Sequence, residues 1–219
     1  MRHKHILNIG HAKTGTTWLW AQLGRHPQVD LSSMMKEPYD FLETSDIDQY
    51  QEHYKKYDIS ANFHVMTWCL DQELIKAMNG ITTHATILLS DPYLFINRFY
   101  KWVPDLQMSP TEFVDVCINT KIICYKQIVD RWVNNFDQGK FRVLLYDDLV
   151  RDPDGFLFDY FGFLGLEKVS IAGSDQKINV NLRPTNDDVW FMGHQVEKIN
   201  QEIKSFETVV DRDLSHWLR

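Results

Sequence analysis

The strongest constraint on how this chain can fold is a short apolar run, Ile6–Ile9, that stops at Gly10 and is followed by Trp18, Leu19, Trp20 and Leu23 at helical spacing. Between the two lies Gly10-His11-Ala12-Lys13-Thr14-Gly15-Thr16-Thr17. The order reads as strand, loop, helix. In open α/β sheets, ligands bind beyond the carboxyl ends of the strands. A glycine-rich loop running into a helix there offers backbone N–H groups and a positive dipole end to an anion.

The rest of the chain repeats the alternation. Val29–Leu31 reads as a second strand and Ile47 to Tyr57 as a surface helix with Tyr50, Tyr54 and Tyr57 on its period. Leu70–Met78 reads as an amphipathic helix closed by Asn79-Gly80. Ala85–Leu89 is a buried-type strand and Leu94 to Trp102 an aromatic-rich helix. Ser109-Pro110-Thr111-Glu112 starts a long helix to Phe136, and Phe141–Tyr146 is the next strand, with a helix through Phe163. Ser170–Asp188 has no clear period and reads as an ordered loop at one edge of the site. Continuous apolar strands alternating with helices predict a three-layer α/β/α fold with a central parallel sheet, in one domain over residues 1–219.

Composition narrows the partners. A net charge of −7 argues against nucleic acid and acidic membrane surfaces, so any anion site must be local. Cys69, Cys117 and Cys124 form no paired framework and no CxxC pattern, which predicts reduced thiols, with Cys117 and Cys124 core-facing on one helix. The apolar start breaks at Asn8 and Gly10, short of a signal-peptide core, and no run is long enough to span a bilayer; a cytoplasmic protein is the expectation.

The two loop glycines have P-loop spacing, but the usual GK[ST] ending is replaced by Gly15-Thr16-Thr17 and the lysine moves inside the loop, to Lys13. That weakens the alternative of a P-loop kinase, whose lysine follows the second glycine. KTGTTWL after an apolar strand resembles the 5′-phosphosulfate-binding loop of sulfotransferases that use 3′-phosphoadenosine 5′-phosphosulfate (PAPS), a P-loop NTPase-like fold. Phe141–Leu149, Asp152-Pro153 and Phe163-Leu164-Gly165-Leu166 resemble further segments of the same family, in the same order. The resemblance implies that Lys13 contacts the bridging and sulfuryl oxygens, that Thr14, Gly15, Thr16, Thr17 and Trp18 embrace the 5′-phosphate, and that no metal is required. Sulfuryl transfer is an in-line displacement, for which the protein positions reactants and stabilises charge on the leaving oxygen.

An acceptor hydroxyl or amine needs a base. Lys36-Glu37-Pro38 with Tyr39 and Phe41 resembles the segment of heparan-type and bacterial members in which the glutamate serves, which implies Glu37; His64 is the alternative, and His11 lies within the loop. The family's 3′-phosphate site has an arginine at the end of the third strand and a serine eight residues on. Here Ser90 and Arg98 stand exchanged, which either preserves the site, with Arg98 reaching the phosphate, or abolishes it and leaves a catalytically silent nucleotide-binding protein. Arg183 falls where the family's C-terminal loop closes over the nucleotide. Tyr39, Phe41, Phe63, Trp68 and Trp102 are candidates to line a pocket for a small-molecule or carbohydrate acceptor.

Overall fold

A computed structural model describes residues 3–36, 47–103, 107–137, 139–176 and 189–219. Among these the chain runs β1 (Lys4–Asn8), α1 (Thr16–Gly24), α2 (Ile47–Tyr54), β2 (Ile59–Phe63), α3 (Gln72–Ile81), β3 (His84–Leu89) and α4 (Pro92–Trp102). It continues through α5 (Pro110–Asn119), α6 (Tyr125–Val133), β4 (Phe141–Leu145), α7 (Tyr146–Arg151), α8 (Pro153–Phe163) and α9 (Gly193–Val210).

Two compact units can be distinguished, Met1–Leu89 with Trp132–Asn179, and Ser90–Arg131 with Val180–Arg219. The first holds the sheet, whose strands are all parallel in the order β2-β1-β3-β4. β1 is therefore central, and the chain's direction across the sheet reverses beside it, the position where such sheets open a crevice at their carboxyl ends. This is the predicted α/β architecture with a parallel sheet.

Strand alternation explains why both faces are covered. Ile6, Ala61, Phe63, Leu88 and Leu144 form one core with Trp18, Leu19 and Leu23 of α1 and Phe156, Leu157, Tyr160 and Phe161 of α8. On the opposite face His5 meets Tyr50 and Tyr54 of α2 at ring-centroid distances of 5.4 and 4.8 Å, and Phe141 stacks on Trp132. In the second unit, Gln195 Nε2 of α9 donates to Thr111 O and Asp115 Oδ1 of α5, and Tyr93 OH of α4 donates to Asn200 Oδ1.

Several expected elements differ. Val29–Leu31 is not a strand: both apolar ends are buried, but the backbone closes on itself through Val29 N to His26 O and Met34 N to Leu31 O. The second strand is instead Ile59–Phe63, whose alternation of Ile59, Ala61 and Phe63 with Ser60 and Asn62 has the period of a strand. Asn79-Gly80 does not stop α3, which runs on to Ile81 before Thr83 N bonds His5 O and starts β3.

The long helix from Ser109 is two helices. Thr120 Oγ1 competes for Val116 O at 2.7 Å, and Lys121 adopts φ 59, so Cys124 lies beyond α5 rather than on one helix with Cys117. Both thiols are buried and free, and burial pushes each up to about 12. The helix through Phe163 is likewise split, by Asp152, which precedes Pro153 and caps α8 by accepting from Gly155 N at 3.0 Å. Among the described residues no helix is long and apolar enough to cross a membrane.

Candidate anion-binding site

The loop between β1 and α1 is shaped by backbone requirements that the sequence meets. Gly10 takes φ 104, and a Cβ there would stand 2.9 Å from Val65 O; Gly15 takes φ 101, so both positions favour glycine. Lys13 lies between them at φ 58 and is half-buried. The root of the loop is still bound to the sheet: Ile9 N donates to Thr86 O at 2.9 Å and His11 N to Leu88 O at 3.3 Å, while Gly10 O accepts from Leu88 N at 3.2 Å.

At the other end, α1 begins without a capping side chain. Its N-cap is Gly15, and its first turn contains no acid. The first intrahelical bond is Leu19 N to Gly15 O, so the amides of Thr16, Thr17 and Trp18 come before the ladder starts. An uncapped, acid-free helix start with a lysine in the preceding loop favours an anion through aligned N–H groups and the helix dipole.

The side chains divide the work. Thr14 is buried and its Oγ1 donates to His11 O at 2.7 Å, closing the loop on itself. Trp18 is also committed: its Nε1 donates to Ser174 O at 3.0 Å and its ring packs edge-on against Phe156. This anchors the start of the predicted loop at Ser170, with Ser174 Oγ also donating to Asp154 Oδ1 at 2.6 Å. Thr17 is half-buried on the first turn, and Thr16 is buried. His11 is wholly buried, its ring 5.8 Å from that of Trp68.

His64 follows β2 and joins this end of the sheet through His64 N to Asn8 O at 3.3 Å. Its Nδ1 accepts from Met66 N at 3.2 Å, so in the neutral ring the proton resides on Nε2. That tautomer presents a donor at Nε2, where a general base needs a lone pair. Glu37 and Arg183 lie outside the described residues, as do Tyr39 and Phe41.

Ser90 and Arg98 belong to the second unit. Ser90 directly follows β3 and is wholly buried, and among the described residues its Oγ has no hydrogen-bond partner, so it is not bonded to Arg98. Arg98 is half-buried on α4. Of the aromatic residues put forward for an acceptor pocket, Phe63 is core, Trp68 backs the loop root at Gly10, and Trp102 is exposed. The residue missed from sequence is Asn8, a buried carboxamide within the strand itself; an amide inside an apolar run was the available signal.

No protein-family model and no curated protein matches this sequence. Solved structures do. A sulfotransferase from Alicyclobacillus acidocaldarius superposes with a TM-score of 0.70 over 100% of both chains at 17% identity. Mouse sulfotransferase SULT7A1, complexed with PAP, gives a TM-score of 0.63 over 96% of this chain and 87% of its own at 15% identity. The sulfotransferase domain of the Synechococcus PCC 7002 olefin synthase gives 0.50 over 98% and 97% at 12% identity. The fold of this chain is that of the sulfotransferases.

Proposed function

We propose that the protein is a sulfotransferase that moves the sulfuryl group of PAPS to a hydroxyl or amine of a small-molecule or carbohydrate acceptor. The observation that carries this reading is the Gly10–Thr17 loop, with its internal lysine, joining the central strand of a sulfotransferase fold to an uncapped, acid-free helix start. The amides of the first turn of α1 and the Thr17 hydroxyl hold the 5′-phosphate. PAPS supplies the activated sulfuryl group. Lys13 stabilises the charge that gathers on the bridging oxygen as its bond to sulfur breaks, while a new bond forms between sulfur and the acceptor and the acceptor's proton passes to Glu37.

Glu37 is preferred over His64 because the Met66 N–H occupies His64 Nδ1 and fixes the unfavourable tautomer. The 3′-phosphate is assigned to Ser90, Arg98 and Arg183. A buried serine hydroxyl lacking a partner among the described residues is suited to donating to a phosphate oxygen, and an arginine to binding one bidentately.

Calorimetric titration tests the reading. 3′-phosphoadenosine 5′-phosphate should bind about tenfold or more tightly than adenosine 5′-phosphate, and more tightly than ATP with Mg²⁺. Binding of ATP with Mg²⁺ alone would reject the sulfotransferase reading. Equal affinity for the two adenosine phosphates would reject the assignment of the 3′-phosphate residues.

A further inference from the structure

We propose that Asn8 is a positioning residue for the anion-binding loop: its carboxamide, oriented by Thr86, holds the N–H of Gly10 and so sets where the loop leaves the sheet. This rests on the sulfotransferase reading of that loop.

In a central strand, successive N–H groups point alternately to the two neighbouring strands. Ile9 N and His11 N point to β3, where Thr86 O and Leu88 O receive them. Gly10 N points the other way, toward β2, and there the ladder has run out. β2 ends at Phe63, His64 N closes the last rung on Asn8 O, and His64 O already accepts from Thr67 N. The Asn8 side chain replaces the missing strand: its Oδ1 accepts from Gly10 N at 3.3 Å.

Only one orientation of the amide serves this purpose: the Gly10 N–H can only donate and so requires Oδ1, and the bond to Thr86 holds the amide there. Asn8 Nδ2 donates to Thr86 Oγ1 at 3.1 Å, which leaves Oδ1 facing Gly10. Asn8 and Thr86 are register partners on β1 and β3, and both are wholly buried. Water cannot stand in at either position without opening the core. A carboxamide inside an apolar strand is costly to bury; of its two bonds, one holds the residue from which the loop departs and the other holds the amide itself.

The test uses Asn8→Leu, which removes the amide at similar volume, and Thr86→Val, which removes only the orienting hydroxyl. Affinities are measured for 3′-phosphoadenosine 5′-phosphate and for adenosine 3′-phosphate, which lacks the 5′-phosphate that the loop takes. Thermal midpoints report folding. Asn8→Leu should weaken the bisphosphate about tenfold and Thr86→Val several-fold, with the double variant no weaker than Asn8→Leu and adenosine 3′-phosphate unaffected throughout.

Parallel losses for both ligands would mean general damage and overturn the positioning role, as would an unchanged bisphosphate affinity in both variants. If Asn8→Leu fails to fold, Thr86→Val decides on the same readout. A wild-type protein that binds neither ligand would reject the sulfotransferase reading itself, and this proposal with it.

Discussion

The two faces of the sheet each bury a cluster of polar side chains, and the clusters differ in what they reach. On one face Asn8 and Thr86 direct their last hydrogen bond out of the core, to the loop at Gly10. On the other, Asn62 Nδ2 donates to Tyr50 OH at 2.9 Å, Tyr50 OH lies 2.8 Å from His5 Nε2, and His5 Nδ1 lies 2.8 Å from Ser60 Oγ. With the Tyr50 oxygen accepting from Asn62, its proton goes to His5 Nε2, and His5 Nδ1–H goes to Ser60. This second chain ends at Ser60 Oγ, which donates to Lys4 O at 3.5 Å and lies 3.4 Å from His3 Nε2, at the amino end of β1. A buried polar cluster that turns inward governs stability and its pH dependence, whereas one that points at a loop governs what the loop can hold.

The largest expected effect tests the functional side. Lys13→Ala should lower turnover by about a hundredfold or more, the scale of losing one charge-stabilising group, while the thermal midpoint holds. Lysine and alanine meet similar backbone strain at φ 58, so the substitution removes the side chain without changing the demand on the backbone. Undiminished turnover would remove Lys13 from the chemistry, and a large fall in midpoint would mean that the loop is also a stability element.

Next comes pH, on the inward face. Burial, assisted by the charge of His3, lowers His5 to about 3 from 6.5. The unfolded chain therefore binds a proton that the folded chain refuses between these values, so His5 makes stability fall as pH drops below 6.5. Between pH 7 and pH 5 the loss should be about 2 kcal/mol. Denaturant titrations of wild type and His5→Gln measure it: the variant should be flatter over that window, and parallel curves would show that His5 is not held neutral.

The smallest effect is expected for Tyr50→Phe, which leaves the Asn62 amide and the His5 ring without a shared partner. It should lower stability by about 1–2 kcal/mol and leave affinity for 3′-phosphoadenosine 5′-phosphate unchanged. A matching loss of nucleotide affinity would erase the distinction between the two faces.

The sequence exposes these regions unequally. The loop is legible because its backbone conformation restricts the residue choice: Gly10 and Gly15 need positive φ, and a lysine between them has few structural uses. β2 is harder to read because Ser60 and Asn62, which look like loop residues, are there to meet His5 and Tyr50. Val29 and Leu31 mislead in the opposite sense, since their apolar character serves packing against α1 and α8 while their backbone turns. The helix α9 goes unassigned from sequence, although Ile199, Ile203 and Phe206 carry its period. Asn8 is the instructive case: within an apolar strand it looks like an interruption, and its role emerges only when β2 is seen to end one residue too early to serve Gly10.

The rungs that Ile9 and His11 make with β3 extend the sheet beyond the last residue of β1, up to the foot of the loop. The proposed receptor for the anion is therefore stiff before anything arrives. The Ile9 and His11 amides at its foot should exchange with solvent only when β3 opens with them, and capturing a phosphate requires little additional ordering of the chain. Binding at such a foot is expected to read as heat rather than as a loss of disorder, with the entropy of arranging the loop already settled when the sheet folds.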